Sequence, residues 1–433
     1  MTGSLGRTVV MFGSRLLTRG AQVASFVVLA RALSPVDFGH YGVITSAIFL
    51  VGIGGHLGLR PAAAWAIGQR VHGAGNIAST LLLAWPVLTA LACVTLAVFG
   101  LLSVDQTPSA RAAIALATSS ILLIALAQGV FLGRGQTGCF ALSESVPRAG
   151  AAALVCAAWL AGAITLELAL LLFAVSFAAV AVPAVVLMFR GTGDRRPVVH
   201  AFPSMIRMGL LFAVSLALVM AQGRVGLFFL AAIDAHDLSG QYFAAQRASE
   251  MFLEVATALG LVLFSDAARS ASPDVAVRSA ARAAVRLFLV FCAIGLAAMP
   301  FTPLLVDVLL GADYAASAPV LRILLLGIGF AAATRVMNHV VGGLGRPWAS
   351  GAIALLALTV NVVLCAWLVP RHGASGAAVA MVAGQALATC AYFALVVRGW
   401  RVPMRDLMPA PGALRRLAYA ISGWLAIAIR REL

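Results

Sequence analysis

The stretch LELALLLFAVSFAAVAVPAVVLMFRGTGDRR, Leu166–Arg196, decides the fold. Its apolar part, Leu166–Phe189, holds one charge, Glu167 at its start, and then breaks on Arg190, Arg195 and Arg196. A hydrocarbon core of ~30 Å needs ~20 apolar residues in helical form, so this run reads as a membrane span ending at a basic surface. Eleven further runs have the same character: Val9–Ala30, Tyr41–Leu59, Ser79–Leu102, Ala112–Leu132, Ser145–Ala163, Met205–Ala232, Tyr242–Phe264, Leu287–Leu310, Leu321–Gly343, Ala349–Val369 and Gly376–Val397. They are continuously apolar, whereas strands of a membrane barrel alternate over ~10 residues. The expected fold is an all-α polytopic membrane protein with twelve spans.

The breaks between spans are sorted by charge. Counting from a cytoplasmic N-terminus, the even breaks carry Arg60 and Arg70, then Arg134, then Arg190, Arg195 and Arg196, then Arg269, Arg278 and Arg282, then Arg346. The odd breaks hold only Arg31, Arg111 and Arg371, together with Asp37, Asp105, Glu167, Asp234, Asp237, Asp307 and Asp313. This alternation is the positive-inside pattern and places both termini in the cytoplasm of a cell with an inner membrane. It also explains the net charge of +15, carried by thirty arginines and no lysine, without nucleic acid. The basic break Ser265–Arg286 reads as an amphipathic connector on the cytoplasmic face. The first span lacks a plausible small-residue cleavage site and is expected to be retained.

Soluble-site chemistry is missing from the pattern. A phosphate-binding P-loop needs a lysine, and the chain has none. The six cysteines are scattered without ligand spacing, and no HExxH is present, so neither a metal site nor a cofactor is expected. The histidines fall mainly in loops, and no converging catalytic set is apparent. No catalytic residue is assigned.

The break Arg190–Pro203 divides the spans six and six. Gly39-His40-Tyr41 leads into span two, and Gly240-Gln241-Tyr242 leads into span eight. Aligned, they suggest a parallel repeat whose axis runs along the membrane normal, with a substrate site between the halves. The expected units are an N-terminal six-helix lobe, 1–197, a C-terminal six-helix lobe, 198–400, and a basic tail, 401–433. Leu414–Ile429 in the tail is short for a span and is expected to lie in the cytoplasmic interface.

Charges inside the spans are the candidate site, because an arginine in a bilayer costs ~2.5–3.5 kcal/mol on insertion scales and persists where it faces a cavity or a partner. Arg15, Arg19 and Gln22 recur on one face of span one, and Arg335, Asn338 and His339 share a face of span ten. Arg224 lies in span seven. Arg247, Glu250 and Glu254 follow one face of span eight. The arginines form a cationic ladder, and Glu250 and Glu254 are candidate coupling groups or charge partners. The alternative is mutual neutralisation, for which Arg247 and Glu250, three residues apart, have the right spacing. Asn361 has the character of an interhelical hydrogen-bonding residue.

Five stretches carry a family resemblance: ARALSPVDFGHYGVITSA (Ala30–Ala47), Leu57–Leu59, LLGADYAASAPVLRILLLG (Leu309–Gly327), Gly345–Pro347 and NVVLCAWLVPRHGASGAAVA (Asn361–Ala380). Together they resemble the Wzx-type flippases of polysaccharide biosynthesis, within the multidrug/oligosaccharidyl-lipid/polysaccharide exporter superfamily. The resemblance implies two six-helix lobes around a central cavity. It implies movement of undecaprenyl-pyrophosphate-linked oligosaccharides from the cytoplasmic to the periplasmic leaflet, alongside polymerase and export machinery. Arg15, Arg19, Arg224, Arg247 and Arg335 would then bind the pyrophosphate, which guanidinium groups recognise bidentately. Two other classes stay open: a drug or small-cation exporter of the same superfamily, in which buried acids should outnumber buried bases, and a membrane-embedded polymerase or ligase, which ordinarily needs a large periplasmic loop.

Overall fold

The computed structural model describes residues 18–102, 107–253, 273–344 and 347–403. Arg15, Glu254, Arg346 and the apolar run 414–429 lie outside the described residues. Those described form helices, with no strand among them. In the N-terminal half these are α1 (residues 18–32), α2 (Pro35–Gly55), α3 (Leu59–Gly68), α4 (Ala74–Val98), α5 (Pro108–Gly133), α6 (Thr137–Leu160) and α7 (Leu166–Phe189). In the C-terminal half they are α8 (Phe202–Gln222), α9 (Val225–Ala232), α10 (His236–Phe252), α11 (Pro273–Ala298), α12 (Thr302–Leu310), α13 (Ser317–Gly343) and α14 (Pro347–Ala394).

The helix starts follow local chemistry. Ser34, Thr107 and Thr165 each cap a helix by accepting a backbone N–H three residues on, and Pro35 and Pro108 occupy first turns. This capping moves the start of span two back from Tyr41 to Pro35, and it puts His40 inside a helix rather than a loop. His236 likewise opens α10. The even break holding Arg60 and Arg70 contains a helix of its own, α3. The connector Ser265–Arg286 is, from Pro273 onward, the first half of α11 and continuous with span nine.

Seven described helices are long and apolar enough to cross a membrane, and an eighth when the bent pair Val199–Leu210 and Ala213–Gln222 counts as one span. α14 alone has 48 residues, roughly 70 Å of helix, more than twice the core thickness. Gly373, at φ 52° and ψ −133°, breaks it into two arms that correspond to spans eleven and twelve. The cavity-lining helices α6 and α10 lack the apolar character of the others. α10 (HDLSGQYFAAQRASEMF) is tolerated because α2, α9, α13 and α14 enclose it, burying Ser239 to Ala245 nearly completely. Outward faces show the opposite chemistry: Leu83, Val87, Leu91, Val94 and Val98 form an exposed apolar stripe on α4, as a lipid-facing surface requires.

Packing falls into two sets. α2, α4, α5, α6 and α7 pack among themselves, as do α8, α9, α10, α11, α13 and α14, and α2 joins the sets by packing along α10. The segment between them is clasped onto the N-terminal set. Asn76 donates to the carbonyl of Arg196 at 2.9 Å and to the Asp194 carboxylate at 3.2 Å, and Thr80 accepts from the N–H of Val198. The N–H of Arg196 and the Asn76 amide hold the Asp194 carboxyl below its ordinary pKa. The molecule is thus an all-helical polytopic membrane protein with two lobes around a central cavity.

Candidate functional site

The lobes meet at two glycine contacts, one near each end of α2. At its start Gly39 abuts Gly240 of α10: a β-carbon on Gly39 would lie 2.7 Å from the Gly240 nitrogen and 2.7 Å from the His236 carbonyl oxygen. At its far end Gly58, with φ +73°, packs backbone to backbone against Gly209 of α8. Only glycine fits such an approach. Above Gly39 the rings of His40 and His236 lie 4.4 Å apart. Phe38 joins both lobes through Phe26, Phe243 and Tyr314, at 5.9, 5.1 and 5.8 Å between ring centroids.

Beneath this seal lies a cavity of about 390 Å³. Its walls come from α1 (Arg19, Gln22, Phe26), α2 (Tyr41, Thr45, Phe49), α6 (Arg148), α7 (Phe173, Phe177) and α10 (Phe243, Arg247, Glu250). One wall is aromatic: Phe49 packs edge-on against Phe173 and Phe177, whose rings are themselves 4.7 Å apart. Among the described residues three guanidinium groups, of Arg19, Arg148 and Arg247, and one carboxylate, of Glu250, face it.

The predicted residues divide accordingly. Arg19 lines the cavity and donates to Gln22 at 3.0 Å. Arg247 also lines it, over the Phe243 ring at 5.1 Å, and is bound to Glu250 at 2.9 Å. That intrahelical pair, anticipated from the spacing, is therefore closed. Arg224 is not on the cavity wall; it pairs with Glu250 from behind at 3.4 Å. Arg335 is off the wall as well and adds to the positive field on Glu250. His339 hydrogen-bonds within its own helix, its Nδ1 lying 2.6 Å from the Arg335 carbonyl oxygen.

Arg224 owes its position to a break in span seven. α8 ends at Gln222 and α9 begins at Val225, freeing backbone carbonyls inside the protein. Two side-chain amides satisfy them. Asn361 of α14 donates to the Gln222 carbonyl at 2.8 Å, and Gln246 of α10 donates to the Gly223 carbonyl. Broken helices persist in membranes only with such replacements.

Arg148 was not anticipated. It faces the cavity, donates to its own helix at the Glu144 carbonyl and lies over the Phe49 ring at 5.9 Å. The signal was present, an arginine within the apolar run Ser145–Ala163. Deeper in the N-terminal lobe, Arg60 donates to Gln128 at 3.2 Å, and Gln128 donates to Ser143. No group of three or more metal-ligating side chains occurs among the described residues.

No protein-family model and no curated protein sequence matches the chain. Solved structures do. The lipid II flippase MurJ, in an inward closed conformation, aligns with a TM-score of 0.71 at 12% identity, over 93% of this chain and 89% of that one. An inward-facing multidrug resistance transporter of the MATE family, in the MOP superfamily, gives 0.67 at 15% identity over 91% and 98%. A MOP superfamily transporter from Pyrococcus furiosus, described as having a binding pocket of reversed polarity, gives 0.64 at 15% over 91% and 94%. The chain has the fold of MOP superfamily transporters. The likeness of fold extends to a lipid flippase and to drug exporters alike.

Proposed function

We propose that this protein is a flippase for polyprenyl-pyrophosphate-linked oligosaccharides, carrying them from the cytoplasmic to the periplasmic leaflet for surface or exopolysaccharide assembly. The observation that carries the reading is the sign of the cavity. Among the described lining residues Arg19, Arg148 and Arg247 face it against one carboxylate, that of Glu250, which has Arg224 behind it as well. A cavity of this sign suits a diphosphate and opposes the organic cations that drug exporters commonly carry. The aromatic wall of Phe49, Phe173 and Phe177 supplies apolar surface for the body of an amphipathic ligand, while the polyprenyl tail stays in lipid.

In this reading the two lobes rock so that the contacts at Gly39–Gly240 and Gly58–Gly209 part in turn, exposing the cavity to each face alternately. The protein sits in the inner membrane with both termini in the cytoplasm. It works beside a polysaccharide polymerase and export machinery, and the lobes divide near residue 197.

The test is polymer export in a host strain lacking the gene, with protein abundance measured alongside. Alanine at Arg19, Arg148, Arg224 or Arg335 should impair export while leaving the protein in the membrane. Lysine at the same positions should restore it in part, since charge survives without bidentate geometry. Full export by all four alanine variants at normal abundance would return these arginines to a structural role. Efflux of cationic dyes without polymer export would favour the exporter reading.

A further inference from the structure

Glu250 stands out in a site for anions, because a carboxylate on the cavity wall repels a phosphate. Its surroundings are richer in positive charge than one carboxylate needs. Arg247, one turn earlier on the same helix, binds it at 2.9 Å; Arg224, at the start of α9, binds it at 3.4 Å from the side away from the cavity. The Gln246 amide donates to it at 3.2 Å, and Arg335 of α13 contributes to the field around it. Without Arg247, Glu250 would keep a guanidinium, an amide and a favourable field. Arg247 has a different balance. It lines the cavity, stands over the face of Phe243 and has Glu250 as its ion-pair partner.

We propose that Glu250 is the site's internal counter-ion, exchanged for the anionic group of the ligand. Arg247 turns from Glu250 to the arriving phosphate or diphosphate, and Glu250 remains with Arg224 and Gln246. When the ligand leaves, Glu250 takes Arg247 back. The inference rests on the anion-carrier reading above and gives that reading a release step. A site of bare guanidinium groups would hold a diphosphate too tightly to transport it, whereas a competing carboxylate tethered beside Arg247 lowers affinity and favours release. The break between α8 and α9 then has a purpose, since it sets Arg224 where it can support Glu250 from behind.

The experiment uses the full chain in lipid nanodiscs, with farnesyl diphosphate as probe and binding measured by calorimetry. Glu250→Gln should bind the probe more tightly, by about fivefold or more, the lower end of usual coupling between linked events. Turnover in a flipping assay should fall at the same time. In an Arg247→Ala background the gain from Glu250→Gln should vanish. Arg224→Gln, which leaves Glu250 leaning harder on Arg247, should weaken binding, and adding Glu250→Gln to it should restore binding.

Unchanged or weaker binding by folded Glu250→Gln would overturn the exchange and make the Arg247–Glu250 pair a fixed structural contact. If Glu250→Gln does not fold, weak binding by Arg224→Gln that Glu250→Asp leaves unimproved overturns it equally, because the shorter carboxylate reaches Arg247 less well. Absence of probe binding by the unmodified protein would instead defeat the anion-carrier reading itself.

Discussion

Gly39 of the N-terminal lobe and Gly240 of the C-terminal lobe touch reciprocally. Gly39 approaches the His236 carbonyl, four residues before Gly240, and Gly240 approaches the Pro35 carbonyl, four residues before Gly39. The contact is reciprocal, each glycine set against the carbonyl one turn before the other. A methyl group on either glycine must push the helices apart. Gly240→Ala should therefore destabilise the protein by about 1–3 kcal/mol, the usual cost of overpacking. Thermal melting in detergent would measure it. Gly138→Ala, whose β-carbon meets nothing within 4 Å, is the control and should leave the melting temperature unchanged or slightly raised.

Much of this fold is legible in the chain because hydropathy answers to the bilayer before it answers to packing. Leu166–Phe189 is a helix over the range read from its composition. The quoted motifs have structural explanations. Tyr314, within the stretch Leu309–Gly327, is 1% exposed and donates to the Leu33 carbonyl in the other lobe. Gly373, within the stretch Asn361–Ala380, makes the kink in α14. What resisted reading came from three dimensions. Arg224 and Glu250 are far apart in sequence, so spacing revealed only the local pair Arg247–Glu250. α10 begins at His236, before the apolar run read as span eight, because neighbouring helices shelter its polar side chains from lipid.

The ring pair His40–His236 spans the same seal and offers a handle on it. The rings are 4.4 Å apart and belong to different lobes. In the proposed rocking, opening the cavity at this end must separate them. Cysteines replacing both histidines, joined by a short thiol-reactive linker, should lock this end and stop polymer export. Cleaving the linker should restore export, and each single cysteine variant should export normally after the same treatment. Continued export by fully linked protein would mean that transport does not require the lobes to part at this point.

The broken span supplies the last prediction. Asn361 and Gln246 donate to neighbouring carbonyls, those of Gln222 and Gly223, but only Gln246 also donates to Glu250. Replacing either by leucine removes the donor and leaves a carbonyl inside the protein without it. Measured interhelical hydrogen bonds in membranes average ~0.6 kcal/mol and reach ~1.7, so each variant should lose stability within that range. Their functional effects should differ. Asn361→Leu loosens the break while Glu250 keeps Arg224, Arg247 and Gln246, so export per molecule should stay close to normal. Gln246→Leu also removes one of the groups supporting Glu250 when Arg247 turns away, so it should weaken farnesyl diphosphate binding as well as stability. Melting curves and calorimetry on the two variants separate the effects. Equal loss of binding in both would mean that the break acts on the site as one unit, with no separate part for the Gln246–Glu250 bond.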